Sequence, residues 1–91
     1  MPISLKDLID VAGQPTTAAS AVLKDHVPRD DAPIAARLRR AGAVLIGKTN
    51  LHEWSQGVTS NNHGFGPSRN PFDTTRVTGG SSGGNAALLG M

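Results

Sequence analysis

The sequence predicts an α/β fold, and three stretches carry that prediction. "PISLKDLI" (residues 2–9) reads as a short buried strand holding one lysine. A helical pattern from about residue 33 runs through Gly42 straight into "AVLIG" (43–47), a compact apolar strand. "GGNAALLGM" at the end reads as a further helix starting near Ser82. Helix, glycine, buried strand is the cadence of an α/β layer.

The elements follow in order. After the first strand, "DVAGQPTTAAS" is turn and loop chemistry, broken by Gly13 and Pro15. "AVLKDHV" fits no single element. "PRDDAP" then starts a helix: Asp30 or Asp31 is expected to cap it, and Pro33 suits the first turn. Ile34, Leu38 and Ala41 fall at i, i+4 and i+7, on one helical face. Gly42 is placed to end that helix in a left-handed conformation. Beyond the second strand, Asn50 with Glu53 three residues on predicts a capping box and a short helix, "LHEWS". Residues 57–80 are loop-rich, and loops of that length are often functional.

Composition narrows the classes. The 91 residues allow one small domain, and at 37% apolar content its core is thin. Trp54, Phe65 and Phe72 are the only aromatics, while 11 glycines and 6 prolines imply much turn. The net charge of +2 and the single cluster Arg37, Arg39, Arg40 describe a solvated helix face, so nucleic acid is not the expected partner. No cysteine means no disulfide and no thiolate metal site. No apolar run is long enough for a membrane span, and no signal peptide opens the chain. The expected location is the cytoplasm.

The stretch "RVTGGSSGGNAALLG" (76–90) sets two hydroxyls in a pliable segment directly ahead of a helix. It could hold an anion, place a serine for chemistry, or be only a flexible turn. It lacks the Gly-Lys-Ser/Thr ending of a P-loop and the GxGxxG spacing of a dinucleotide fold. A serine nucleophile needs a base. His26, His52 and His63 sit in ordinary polar settings, and no HxxxH or HExxH pairing supports a metal site. A lysine can be the base only when uncharged, which burial favours. Lys6, among Ile3, Leu5, Leu8 and Ile9, is the candidate; Lys24 and Lys48 are in more polar or exposed contexts. The plain alternative for Lys6 is an ion pair with Asp7 or Asp10.

Three stretches, "PISLKD", "GAVLIGKTNLHEWSQGVTSNN" with "GPSRNPFD", and "GGSSGGNAAL", together resemble the amidase signature family across essentially the whole chain. The resemblance implies a fragment of that fold, a mixed β-sheet surrounded by helices. It implies amide C–N hydrolysis by a Ser–cis-Ser–Lys triad, without cofactor or metal. Lys6 matches the triad lysine, and Ser81, 75 residues on, matches the bridging serine whose bond to Gly80 is cis in the family. Lys48, in "GKTN", is not the triad lysine. Ser82 matches a supporting serine able to cap the following helix, and Gly79, Gly80 and Gly83 keep the bend free of side chains. Thr59, Ser60 and Asn61 are expected as polar contacts in the acyl pocket. Thr78 and Ala19 depart from a common proline and a common glycine.

On the same resemblance, residues 1–91 are a partial domain, the nucleophilic serine and oxyanion-hole amides belong after Met91, and this segment alone is expected to be inactive. Expected partners are a small-molecule amide and the remainder of the domain, with a second copy or amidotransferase subunits as further possibilities. Two other readings stay open. One is the A subunit of a glutamyl/aspartyl-tRNA amidotransferase. The other is a non-catalytic α/β module binding phosphate at the Gly-Ser loop. A cis Gly80–Ser81 bond with Lys6 close by favours the amidase; a trans loop with N–H groups converging on an anion favours the binder.

Overall fold

A computed structural model describes residues 1–91. Strand β1 (Pro2–Lys6) pairs in parallel with β2 (Val44–Thr49), and the connection between them carries helix α1 (Pro33–Arg40). A short hairpin, β3 (Arg69–Asn70) and β4 (Asp73–Val77), precedes the final helix α2 (Gly83–Gly90). The predicted α/β class holds, and its first unit is strand, helix, parallel strand.

Alternation along β1 divides its side chains between two faces. Leu5 is buried with Val11 and Ala35, and Ile3, Ile9, Leu38 and Leu45 pack around them. This is the core, and it lies between the sheet and α1. Ser4 and Lys6 point to the other face, toward the start of α2. The register runs Pro2↔Val44, Ile3↔Leu45, then Ser4↔Gly47 through Lys6↔Thr49, so one residue is skipped after Ile3. That skip brings Thr49 level with Lys6 on the α2 side.

Several expectations need correction. β1 ends at Lys6, so residues 7–9 are turn and not strand. Neither Asp30 nor Asp31 caps α1: Ala32 holds the N-cap position without a side-chain bond. Asp31 instead accepts from the Ala12 amide at 2.8 Å and pairs with Arg39. Pro33 does occupy the first turn. The helix buries Ala35, with Leu38 one turn on, while Ile34 is 49% exposed. Gly42 adopts φ +82°, and the Gly42 and Ala43 amides donate to the carbonyls of Arg39 and Leu38, closing the helix with a Schellman motif.

Within residues 1–91, β2 is covered on one side only. Val44 and Ile46 are 60% and 59% exposed, because the core takes only the Leu45 side and α2 covers only the far end. The "LHEWS" helix does not form. Glu53–Ser55 is a single 3-10 turn after His52, and Trp54 and Ser55 have φ of +55° and +58°, outside any right-handed helix. Asn50 caps nothing; its side-chain amide donates to Gly66 O at 2.9 Å. The 57–80 segment is organised by the β3–β4 hairpin and by buried Asn62. The Asn62 side chain donates to Ala19 O and Leu51 O and accepts from the amides of Gly64 and Phe65.

Candidate active site

Lys6 is the last residue of β1, and its placement follows from the strand's alternation. With Leu5 turned into the core, Lys6 faces the loop before α2. Its Nζ donates to Ser81 Oγ at 2.6 Å, joining residues 75 apart in sequence, and both residues are half-buried. The alternative ion pair with Asp7 or Asp10 is absent. Asp7 has other partners: Lys48 Nζ stands 2.9 Å from Oδ1, an oxygen with no hydrogen bond, while the Thr17 amide and hydroxyl donate to Oδ2. Lys48 also donates to Pro15 O and Thr16 Oγ1, and its side chain is only 11% exposed, against the expected polar and exposed setting. A second lysine is thus spent on the one carboxylate adjoining Lys6. The Lys6 amine meets a hydroxyl and no carboxylate within 4.0 Å.

Ser81 is held from several sides. The bond between Gly80 and Ser81 is cis, and Gly79 takes φ +82°, a conformation that suits glycine. The His52 amide donates to Ser81 O at 2.9 Å. Beneath the bend lies Ser60, fully buried and itself at φ +51°. Its hydroxyl donates to Gly79 O at 2.9 Å and accepts from the Gly83 amide at 3.1 Å. A side chain at Gly83 would run into Ser60 and the Thr78 hydroxyl, so glycine is required there by close approach. The Gly84 amide donates to Asn50 O. The first amides of α2 are therefore bound within the chain and do not converge on an open anion site, which removes the geometry a phosphate cradle needs.

The remaining candidates divide. Ser82 stands at the N-cap of α2, yet its side chain makes no capping bond and is exposed, so it does not cap the helix as expected. Thr59 is half-buried, with Oγ1 3.4 Å from His52 Nδ1 and accepting from the Asn61 amide; Asn61 is exposed. Ser60, expected beside them as a pocket contact, has its hydroxyl committed to the Gly-Ser loop instead. Three participants escaped the sequence reading: the Ser60 clamp, the Asn62 loop anchor and the Lys48–Asp7 pair. No local signal separates Asn62 from its neighbour Asn61.

A family model for amidases matches residues 1–91. The chain belongs to the amidase family. It is 51% identical over 89 residues to the A subunit of glutamyl-tRNA(Gln) amidotransferase from Nitratidesulfovibrio vulgaris, covering 98% of this chain and 18% of that protein. Among solved structures, the A subunit of the Thermotoga maritima glutamyl-tRNA(Gln) amidotransferase superposes with a TM-score of 0.93 at 42% identity, covering 98% of this chain and 20% of that one. The peptide amidase of Stenotrophomonas maltophilia superposes at 0.90 with 40% identity, covering 98% and 19%. The chain thus spans about a fifth of the length of the relatives it matches. The amidase signature fold, of which this is a fragment, agrees with the expectation from sequence.

Proposed function

We propose that this chain supplies the proton-accepting half of an amide hydrolase, with Lys6 as base and Ser81 as relay. The observation that carries the reading is the 2.6 Å contact between Lys6 Nζ and Ser81 Oγ. In the proposed reaction, a serine from a neighbouring segment of the domain attacks the amide carbonyl. Its proton passes to Ser81 Oγ as the Ser81 proton passes to Lys6 Nζ. Each transfer needs heavy atoms at hydrogen-bond distance. The lysine returns the proton along the same path to the departing nitrogen, and water then releases the acid from the acyl-enzyme. An amine accepts a proton only when uncharged; in support of this role, the Lys6 amine has no carboxylate within 4.0 Å, and Asp7 pairs with Lys48 instead.

Residues 1–91 are, in this reading, part of a longer amidase domain, with the nucleophile and oxyanion donors encoded after Met91. Thr59 and Asn61 are the polar candidates for contact with the substrate amide, and Gly79, Gly80 and Gly83 shape the bend. The test is ammonia release by the full-length polypeptide from aliphatic, aromatic and peptide amides and from glutamine. Lys6→Ala and Ser81→Ala should each lower kcat by about 100- to 10,000-fold, the range of a positioned acid–base group. Wild-type rates in Lys6→Ala would end the proposal. The isolated 91-residue chain should turn over none of these amides.

A second reading is favoured by relatives at 45–51% identity, which are A subunits of glutamyl-tRNA(Gln) amidotransferases. There the same relay would release ammonia from an amide donor for transfer to an aminoacyl-tRNA held by partner subunits. Glutaminase activity that appears only with partner subunits would select it. No helix is long and apolar enough to cross a membrane. A cytoplasmic location is proposed from the kinship with amidotransferase A subunits alone.

A further inference from the structure

The relay joins two elements with no covalent reason to stay in register: the end of β1 and the loop ahead of α2. Asn85, the third residue of α2, binds both strands. Its Oδ1 accepts from Ser4 Oγ at 2.8 Å and from Thr49 Oγ1 at 2.8 Å. Ser4 lies two residues before Lys6 on the same face, and Thr49 is the register partner of Lys6 on β2. The Thr49 hydroxyl is also 3.3 Å from Leu5 O. One carbonyl oxygen therefore ties the helix that follows Ser81 to the rows of the sheet that present Lys6. Asparagine is a weak helix former, so its place inside a helix of eight residues is not explained by propensity.

We propose that Asn85 is a positioning residue: by accepting from Ser4 and Thr49 it sets the distance between the Lys6 amine and the Ser81 hydroxyl. It touches neither of them, and it acts through the spacing of the elements that carry them. A proton relay tolerates little slack, and about 1 Å of misplacement can cost on the order of 100-fold in rate. The inference rests on the Lys6–Ser81 relay proposed above.

The test uses the full-length polypeptide and three variants. Asn85→Leu keeps the branched shape of the side chain, removes the acceptor and is a better helix former. Asn85→Asp keeps an oxygen for both hydroxyls. Lys6→Ala is the control for the relay. Expected are a loss of about 10- to 100-fold in kcat for Asn85→Leu with KM within about twofold, and recovery of most of that loss in Asn85→Asp. Should Asn85→Leu not fold, Ser4→Ala combined with Thr49→Val reads the same contact from the strands and should show the same loss. An unchanged kcat in whichever of these folds, or equal losses in Asn85→Leu and Asn85→Asp, overturns the inference. If Lys6→Ala is inactive while Asn85→Leu is not, only the positioning role fails; if Lys6→Ala is active, the relay itself fails.

Discussion

Replacing Ser60 with alanine should loosen the Gly-Ser bend, and the cost can be worked from its contacts. The hydroxyl is fully buried and makes two close bonds, to Gly79 O at 2.9 Å and from Gly83 N at 3.1 Å. Gly79 O retains a second donor, Thr78 Oγ1 at 3.1 Å, so losing Ser60 there forfeits one bond of about 1 kcal/mol. The Gly83 amide has no such reserve and is buried, so it is left unsatisfied at roughly 1–3 kcal/mol. The sum is about 2–4 kcal/mol. Alanine keeps the left-handed φ at the same backbone cost as serine, so the difference isolates the hydroxyl. Urea titration of the full-length protein, wild type against Ser60→Ala, measures it, and ammonia release on the same samples should fall as Ser81 loses its support. A destabilisation under about 0.5 kcal/mol, the range of ordinary surface changes, would refute the reasoning.

Further outcomes follow from other contacts. Lys48→Met leaves Asp7 without its cation; with side chains 11% and 16% exposed, the loss should be roughly 2–4 kcal/mol, somewhat short of full burial, and should shrink when Asp7→Leu is added. Urea midpoints of the two variants check this, and equal losses in both would contradict it. Asp73 concerns pH. Its carboxyl is held below 3.8 by hydrogen bonds from the Thr75 side chain and amide and from Arg76. The folded value lies below the unfolded one, so the contribution is present above the unfolded value and is lost as pH falls through the folded value. NMR titration should find the Asp73 carboxyl moving up toward 3.8 in Thr75→Val, and no movement would count against the hydrogen-bond cause.

The corrections to the sequence reading share a cause. "AVLIG" reads as a buried strand, and composition cannot say which neighbours cover each face; within residues 1–91 Leu45 packs on the core while Val44 and Ile46 are left mostly exposed. Asp31 resembles a helix cap, but a carboxylate bonds whichever donors the fold brings to it, and here these are the Ala12 amide and Arg39. "NLHE" has the spacing of a capping box. The backbone instead turns left-handed at Trp54, where the Ala18 carbonyl accepts the Trp54 amide.

Local rules placed the two ends of α1, Pro33 in its first turn and Gly42 just past its last, because those residues act through their own backbones; its cap and the exposure of Ile34 did not follow them. The identity of the family was also readable in the chain, from three motif-bearing stretches in order; Lys6 and Ser81 were nominated by that resemblance and not by their local settings. Tertiary structure alone decided three things: that Asp7 belongs to Lys48 and leaves Lys6 to Ser81, that Ser60 lies under the bend, and that Asn85 bridges helix and strands. These are choices among competing donors and acceptors of similar strength. Such choices depend on which groups are brought within about 3 Å of one another, and a sequence specifies that distance only after it has folded.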